Sequence, residues 1–340
     1  MISVGIILFS LTVAWILYRV YSAERPFPFP AVGTAGAAVL LGAEMLLFAK
    51  VEFVTIYFTP IAWTAYIAWT DSAVFSLKGK SLWQTARAEF LCLALCSIPL
   101  WLIFEAYNLR LANWVYVGLP ENRLARGIGY AWSFATIWPA ILETATLVRA
   151  LGFRKQHRMK TDAAAEREER SVAPAARPRN PRPLPSGVAP LIVLVGAILL
   201  TVPLLVPPRI GSYLFGAVWL GFIFLLEPIN LHSGDPMGSE SLWRDIRSGD
   251  LSRLASLLGA GWVCGILWEF WNYWAEARWV YTFPVWQEWK LFAMPLPGYL
   301  GFPPFAVECF VLFSFLAPLL SALAGKPGRK GDARWKVLQL

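Results

Sequence analysis

Residues 254–274, LASLLGAGWVCGILWEFWNYW, contain one acid, Glu269, and no base. A helix needs roughly 20 apolar residues to cross the hydrocarbon core of a bilayer, and this run has both the length and the composition. Eight comparable runs accompany it, at about 1–20, 31–49, 54–70, 89–107, 129–150, 188–206, 211–227 and 300–323. Hydrophobic residues make up 57% of the 340 and charged residues 15%, against about 25% charged in a globular domain. The sequence therefore predicts an all-α polytopic membrane protein of about nine transmembrane helices. Sheet is not expected, because open edges are not viable in lipid and the runs are too long for barrel strands.

The first run has no base ahead of it and no small-residue cleavage site, so it reads as a retained anchor rather than a signal peptide. Basic residues set the orientation. With the N-terminus outside, 22 Lys and Arg fall on the cytoplasmic side and 7 outside, Arg149 being left at a boundary. The positive-inside rule favours that arrangement in the cell membrane, with a cytoplasmic C-terminus. The net charge of +8 then reflects orientation and attraction to anionic headgroups at the cytoplasmic face. No folded basic domain remains for nucleic acid.

The two sides of a central Arg/Pro-rich stretch resemble one another. Trp63 with Asp71 matches Trp219 with Glu227, and Ser81-Leu82-Trp83 matches Ser241-Leu242-Trp243. Phe104-Glu105-Ala106-Tyr107-Asn108 parallels Trp268-Glu269-Phe270-Trp271-Asn272. Trp114-Val115-Tyr116 parallels Trp279-Val280-Tyr281, and Pro139 with Glu143 parallels Pro304 with Glu308. An ordered series of this kind points to internal duplication. The expected organisation is an anchor at 1–20, a four-helix repeat at 31–151 and a basic cytoplasmic linker at 152–187. A second four-helix repeat follows at 188–324, then a basic cytoplasmic tail at 325–340. An even number of spans gives both repeats the same orientation, a parallel pseudo-repeat.

Glu269 and Asn272 lie three residues apart and share a helix face, flanked by Trp268, Trp271 and Tyr273. Glu308 follows Pro303 and Pro304 in the last span. An ionised side chain at the bilayer centre costs roughly 2.5–3.5 kcal/mol on insertion scales, so these groups must face the interior, pair, or stay protonated. Burial favours the neutral acid, which suits a proton donor. Glu269 and Glu308 are therefore the candidate acid/base pair, with Asn272, Trp268, Trp271, Tyr273 and Trp279 as candidate substrate contacts. Glu105, Asn108 and Glu143 form the matching set in the first repeat. The bland account is that these polar groups only tie helices together. Asp71 and Glu227, near helix ends, fit that account best.

Residues 275–302 contain Trp279, Trp286 and Trp289 among several prolines and glycines. Each Trp alone fits an interfacial belt. The irregular backbone predicts a loop that folds back and caps a cavity between the last two helices.

Three functions remain open. A buried acid could protonate an alkene or epoxide of an isoprenoid or other lipid, with indole faces stabilising the cation. That chemistry needs neither metal nor soluble cofactor. The chain has two histidines, His157 and His232, no nucleotide-type Gly-rich loop, and four scattered cysteines. Two repeats carrying intramembrane carboxylates are similar in architecture to membrane lycopene cyclases and meroterpenoid cyclases. Duplicated Glu/Asn sites would equally suit a proton- or cation-coupled transporter or channel. A Trp-rich outer face would suit a scaffold or assembly subunit that binds lipid or a membrane-protein partner.

Overall fold

The computed structural model describes residues 1–152, 187–233, 240–323 and 335. The expected linker and tail, with His157, otherwise fall outside these residues. Among them the chain is mostly helical, with two small ribbons.

The long helices are α1 (Ile2–Ser22), α2 (Ala31–Phe48), α3 (Glu52–Lys78), α5 (Arg87–Leu111) and α6 (Arg123–Gly152). The second half supplies α7 (Val188–Leu205), α9 (Phe215–Ser233), α11 (Ser252–Trp274) and α12 (Phe302–Leu323). Short helices α4 (Leu82–Thr85), α8 (Pro208–Gly211) and α10 (Leu242–Ser248) join them. Eight helices are long and apolar enough to cross a membrane, and the protein is a membrane-embedded helical bundle.

Helix α3 is long but is not one of the eight. It carries Thr, Tyr, Trp and Asp71 where the others carry Leu and Val, and most of its length is buried in protein. A central helix does not need an apolar surface facing lipid. It kinks at Tyr57 (φ −101°, ψ 17°). Pro60 follows one turn later, where its ring crowds the preceding turn and a hydrogen bond is lost.

Packing follows one scheme in each half. In the first, α2 packs on α3, and α3 and α5 pack on α6; in the second, α7 packs on α9, and α9 and α11 pack on α12. Glycines permit the close approaches. A Cβ on Gly36 would lie 2.7 Å from the Ala65 carbonyl, and one on Gly196 would lie 2.3 Å from the Leu225 amide nitrogen. Small residues are what allow membrane helices to approach this closely. The halves meet where α6 packs on α11 and α12, and the Trp138 indole donates to the Cys309 carbonyl at 2.9 Å. Helix α1 rests on α11, Phe9 stacked on Phe270.

The strands correct the expectation that the chain has no sheet. Strand β1 (Trp114–Val117) pairs antiparallel with β2 (Arg278–Tyr281). Trp114 lies opposite Tyr281, Val115 opposite Val280, and Tyr116 opposite Trp279. The two Trp-Val-Tyr triplets therefore pair with each other. Both strands lie between helices, so their edges do not fall within a spanning segment. A second ribbon, β3 (Lys290–Leu291) with β4 (Met294–Pro295), and a 3-10 turn at Leu296–Gly301 complete the loop before α12.

Candidate functional site

The ribbon is held at the helix ends by two asparagines. The Asn108 amide donates to the Trp114 carbonyl at 2.8 Å, and its oxygen accepts from the Asn113 and Trp114 amides at 2.8 and 3.1 Å. The Asn272 amide donates to the Trp279 carbonyl at 2.9 Å and accepts from the Trp279 N–H at 3.0 Å. Each side chain satisfies the Trp of its Trp-Val-Tyr triplet in both directions.

One turn earlier on each helix sits a carboxyl that meets the same strand. Tyr116 donates its hydroxyl to Glu105 Oε1 at 2.6 Å, and the indoles of Trp101 and Trp114 donate to that oxygen at 2.9 and 3.1 Å. Tyr281 donates to Glu269 Oε1 at 2.7 Å, and the Trp279 indole donates to the Tyr281 hydroxyl at 2.8 Å. Burial lifts both tyrosine hydroxyls well above their ordinary pKa, and the adjacent glutamate adds to the shift. Each hydroxyl therefore holds its proton and serves as donor.

A cavity of about 360 Å3 lies against this ribbon, within the size range of small-molecule sites. Both halves wall it. Trp101, Trp114, Tyr116 and Tyr130 come from the first, and Trp219, Trp268, Trp279 and Tyr281 from the second. Pro297, Gly298 and Gly301 of the loop also line it, as do Phe302 and Phe305 of α12. A Cβ at Gly216, another lining residue, would meet no atom within 4 Å. Few polar atoms are left over. The Asn113 Oδ1 and the Thr59 hydroxyl are buried without a partner among the described residues.

Of the candidate residues, Trp268 and Trp279 line the cavity, while Glu269 and Glu105 lie one layer behind, reached through Tyr281 and Tyr116. Trp271 is fully buried elsewhere, against Trp63 and Tyr66, and donates to Glu44 at 3.3 Å. Tyr273 packs on Phe292. Glu308 is fully buried, neither oxygen has a hydrogen-bond partner among the described residues, and it is not a lining residue. It sits one turn beyond Phe305, whose ring does face the cavity. No hydrogen bond joins Glu308 to Glu269, whose second oxygen is also unpartnered.

The remaining carboxyls lie toward the other end of the bundle. Thr55 lies beside the ribbon, bonded to Glu276, and Asp71 is sixteen residues further along α3, about 24 Å at 1.5 Å per residue. Asp71 accepts from the Ser81 hydroxyl and the Trp83 amide, both at 2.8 Å. Glu227 accepts from the Ser241 hydroxyl at 2.7 Å and the Trp243 amide at 2.9 Å. Each carboxyl caps a short helix. Glu143 is fully buried, with Oε1 unpartnered.

Sequence reading did not single out Tyr116, Tyr281, Trp101 or Tyr130 as site residues. The signal for the two tyrosines was present in the repeated Trp-Val-Tyr triplet. No family model, curated protein or solved structure matches the chain.

Proposed function

We propose that this is a membrane enzyme that acts on an isoprenoid or other lipid by acid/base chemistry in the ribbon-end cavity. The observation that carries the reading is that the aromatic wall contains two tyrosine hydroxyls, each backed by a buried glutamate at 2.6–2.7 Å. A hydroxyl placed between a carboxyl and a cavity can relay a proton in either direction. If the carboxyl is protonated, it passes its proton to the tyrosine as the tyrosine gives its own to an alkene or epoxide. If the carboxyl is ionised, the tyrosine takes a proton from the substrate cation and passes its own inward. Two Glu–Tyr pairs in opposite protonation states supply one acid and one base, so one proton enters and one leaves. Between these steps the faces of Trp101, Trp114, Trp268 and Trp279 stabilise the cation. Glu269 keeps its expected acid/base role through Tyr281, and Glu105 joins it through Tyr116. Glu308, buried behind Phe305, is a separate candidate that Glu308→Gln tests.

The architecture in this reading is nine spans: α1 and two parallel four-helix repeats. The common packing scheme, the paired asparagine clamps and the matched Glu–Tyr contacts support duplication. The ribbon register supports an axis through Val115 and Val280 along the membrane normal. The charge bias supports a ribbon end outside the cell membrane.

The test is lipid mass spectrometry on cells expressing the intact chain, the deletion strain, and Y116F, Y281F, E105Q and E269Q variants. Loss of a positioned proton donor costs about 10²–10⁴-fold in rate, so each variant should insert normally and accumulate the unconverted lipid. Unchanged lipids in all four would overturn the enzyme. Proton or lipid flux in liposomes without chemical change would replace it with the transporter.

A further inference from the structure

A lipid substrate has two ends, and the cavity offers them different chemistry. Two arginines line it, Arg126 and Arg278. Arg126 donates to the carbonyls of Pro120 at 3.0 Å and Glu121 at 3.4 Å. Arg278 donates to the carbonyls of Tyr273 and Ala275, both at 3.3 Å. Neither forms an ion pair among the described residues. Carbonyl contacts fix a guanidinium in place but leave its charge uncompensated, and five N–H donors are not exhausted by two acceptors.

Strand register puts the two arginines at one edge of the ribbon. Val117 lies opposite Arg278, and the carbonyl that holds Arg126 is three residues beyond Val117. The carboxylate of Glu276, two residues before Arg278, accepts instead from the Thr55 hydroxyl at 2.8 Å. At the opposite edge the place matching Arg278, directly before the Trp-Val-Tyr triplet, is held by Asn113. Its amide donates to the Ser212 carbonyl at 2.8 Å. The halves that look alike in the ribbon thus differ where it meets the cavity, one edge cationic and the other neutral. Between them the lining is mostly aromatic and aliphatic.

We infer that the ligand of this cavity is a lipid with an anionic phosphate headgroup, held at the ribbon edge by Arg126 and Arg278 with its chain among the tryptophans. This deepens the proposed function and depends on it for the cavity as the binding site. Arginine is suited to the role because its planar fork matches phosphate oxygens. Carbonyl-held guanidiniums are already oriented before the ligand arrives.

The experiment is titration of the purified full-length chain in neutral detergent, read by quenching of tryptophan fluorescence. The probes are farnesyl phosphate, farnesol and inorganic phosphate. Farnesyl phosphate is expected to bind about tenfold or more tighter than farnesol, since charge-assisted contacts are the strong ones. The combined Arg126→Gln and Arg278→Gln variant should erase that preference while still binding farnesol. Arg126→Lys with Arg278→Lys should keep a preference, separating charge from folding. Equal affinities for the two lipids, or a preference that survives both Gln substitutions, would overturn the headgroup assignment. So would inorganic phosphate binding as tightly as farnesyl phosphate, which would mark a free-anion site. Farnesol binding unaffected by Gly216→Phe would instead overturn the cavity as the binding site.

Discussion

Asn108 and Asn272 show how a polar residue in a membrane helix is used when its hydrogen bonds go to backbone. Each stands near a helix end and bonds both the N–H and the C=O of a strand tryptophan, Trp114 or Trp279. Removing the clamp orphans both groups, at about 1–3 kcal/mol each. Asn272→Ala and Asn108→Ala should therefore lower the melting temperature measurably, whereas Trp286→Ala, at an exposed position, should not. Glu308 presents the opposite case, a buried carboxyl with no partner among the described residues. An orphaned buried polar group costs free energy that an apolar group of similar size avoids. Glu308→Leu should raise thermal stability by about 1–3 kcal/mol; a fall would contradict its reading as an unpartnered carboxyl. The sequence marked both positions because acids and amides are conspicuous in apolar runs. It did not distinguish the clamp from the orphan, because that depends on a strand arriving from beyond the helix end.

At the scale of elements, the β1–β2 ribbon organises the site. It joins the halves, fixes Tyr116 and Tyr281 against their glutamates, and lies along the cavity. Gly118 ends β1 with φ +66°, and a Cβ there would sit 2.1 Å from the Glu276 carbonyl oxygen. Any side chain must displace backbone, so Gly118→Val should disrupt the ribbon even if the helices insert. The register has a direct check. Val115 and Val280 face each other at the centre, and antiparallel partners lie about 4.5–5.5 Å apart at Cα, within disulfide range. In a background lacking Cys92, Cys96, Cys264 and Cys309, Val115→Cys with Val280→Cys should crosslink on mild oxidation. Failure to crosslink would contradict the pairing. Long helices were legible from hydropathy because lipid demands apolar surface along a whole span. A four-residue strand of Trp, Val and Tyr carries no such signature, and its aromatics read equally well as an interfacial belt. The loop at 275–302 was legible as irregular from its prolines and glycines, and three of those, Pro297, Gly298 and Gly301, line the cavity together with several of its aromatic residues. Its partner across the ribbon was hidden in the first half.

At the scale of the molecule, two similar halves enclose one dissimilar space. Sequence reading placed the hollow between the last two helices, because Glu269, Glu308 and the densest tryptophans lie there. The structure spreads the walls over both halves, drawing in Trp101, Trp114 and Tyr130. The kink at Tyr57 and Pro60 brings the start of α3 into the lining. Such convergence is a property of helix packing across the axis, which no local pattern reports.

The account turns on whether this cavity receives a lipid. Gly216 offers the cleanest probe, since a Cβ there meets no atom within 4 Å and the hydrogen bonds of the Glu–Tyr pairs do not involve it. The decisive measurement is native mass spectrometry of the intact chain and of Gly216→Phe, purified in parallel from the same host. A lipid of isoprenoid or acyl type should accompany the unaltered protein and be absent from the folded variant. The same lipid in equal amount on both would contradict the central claim.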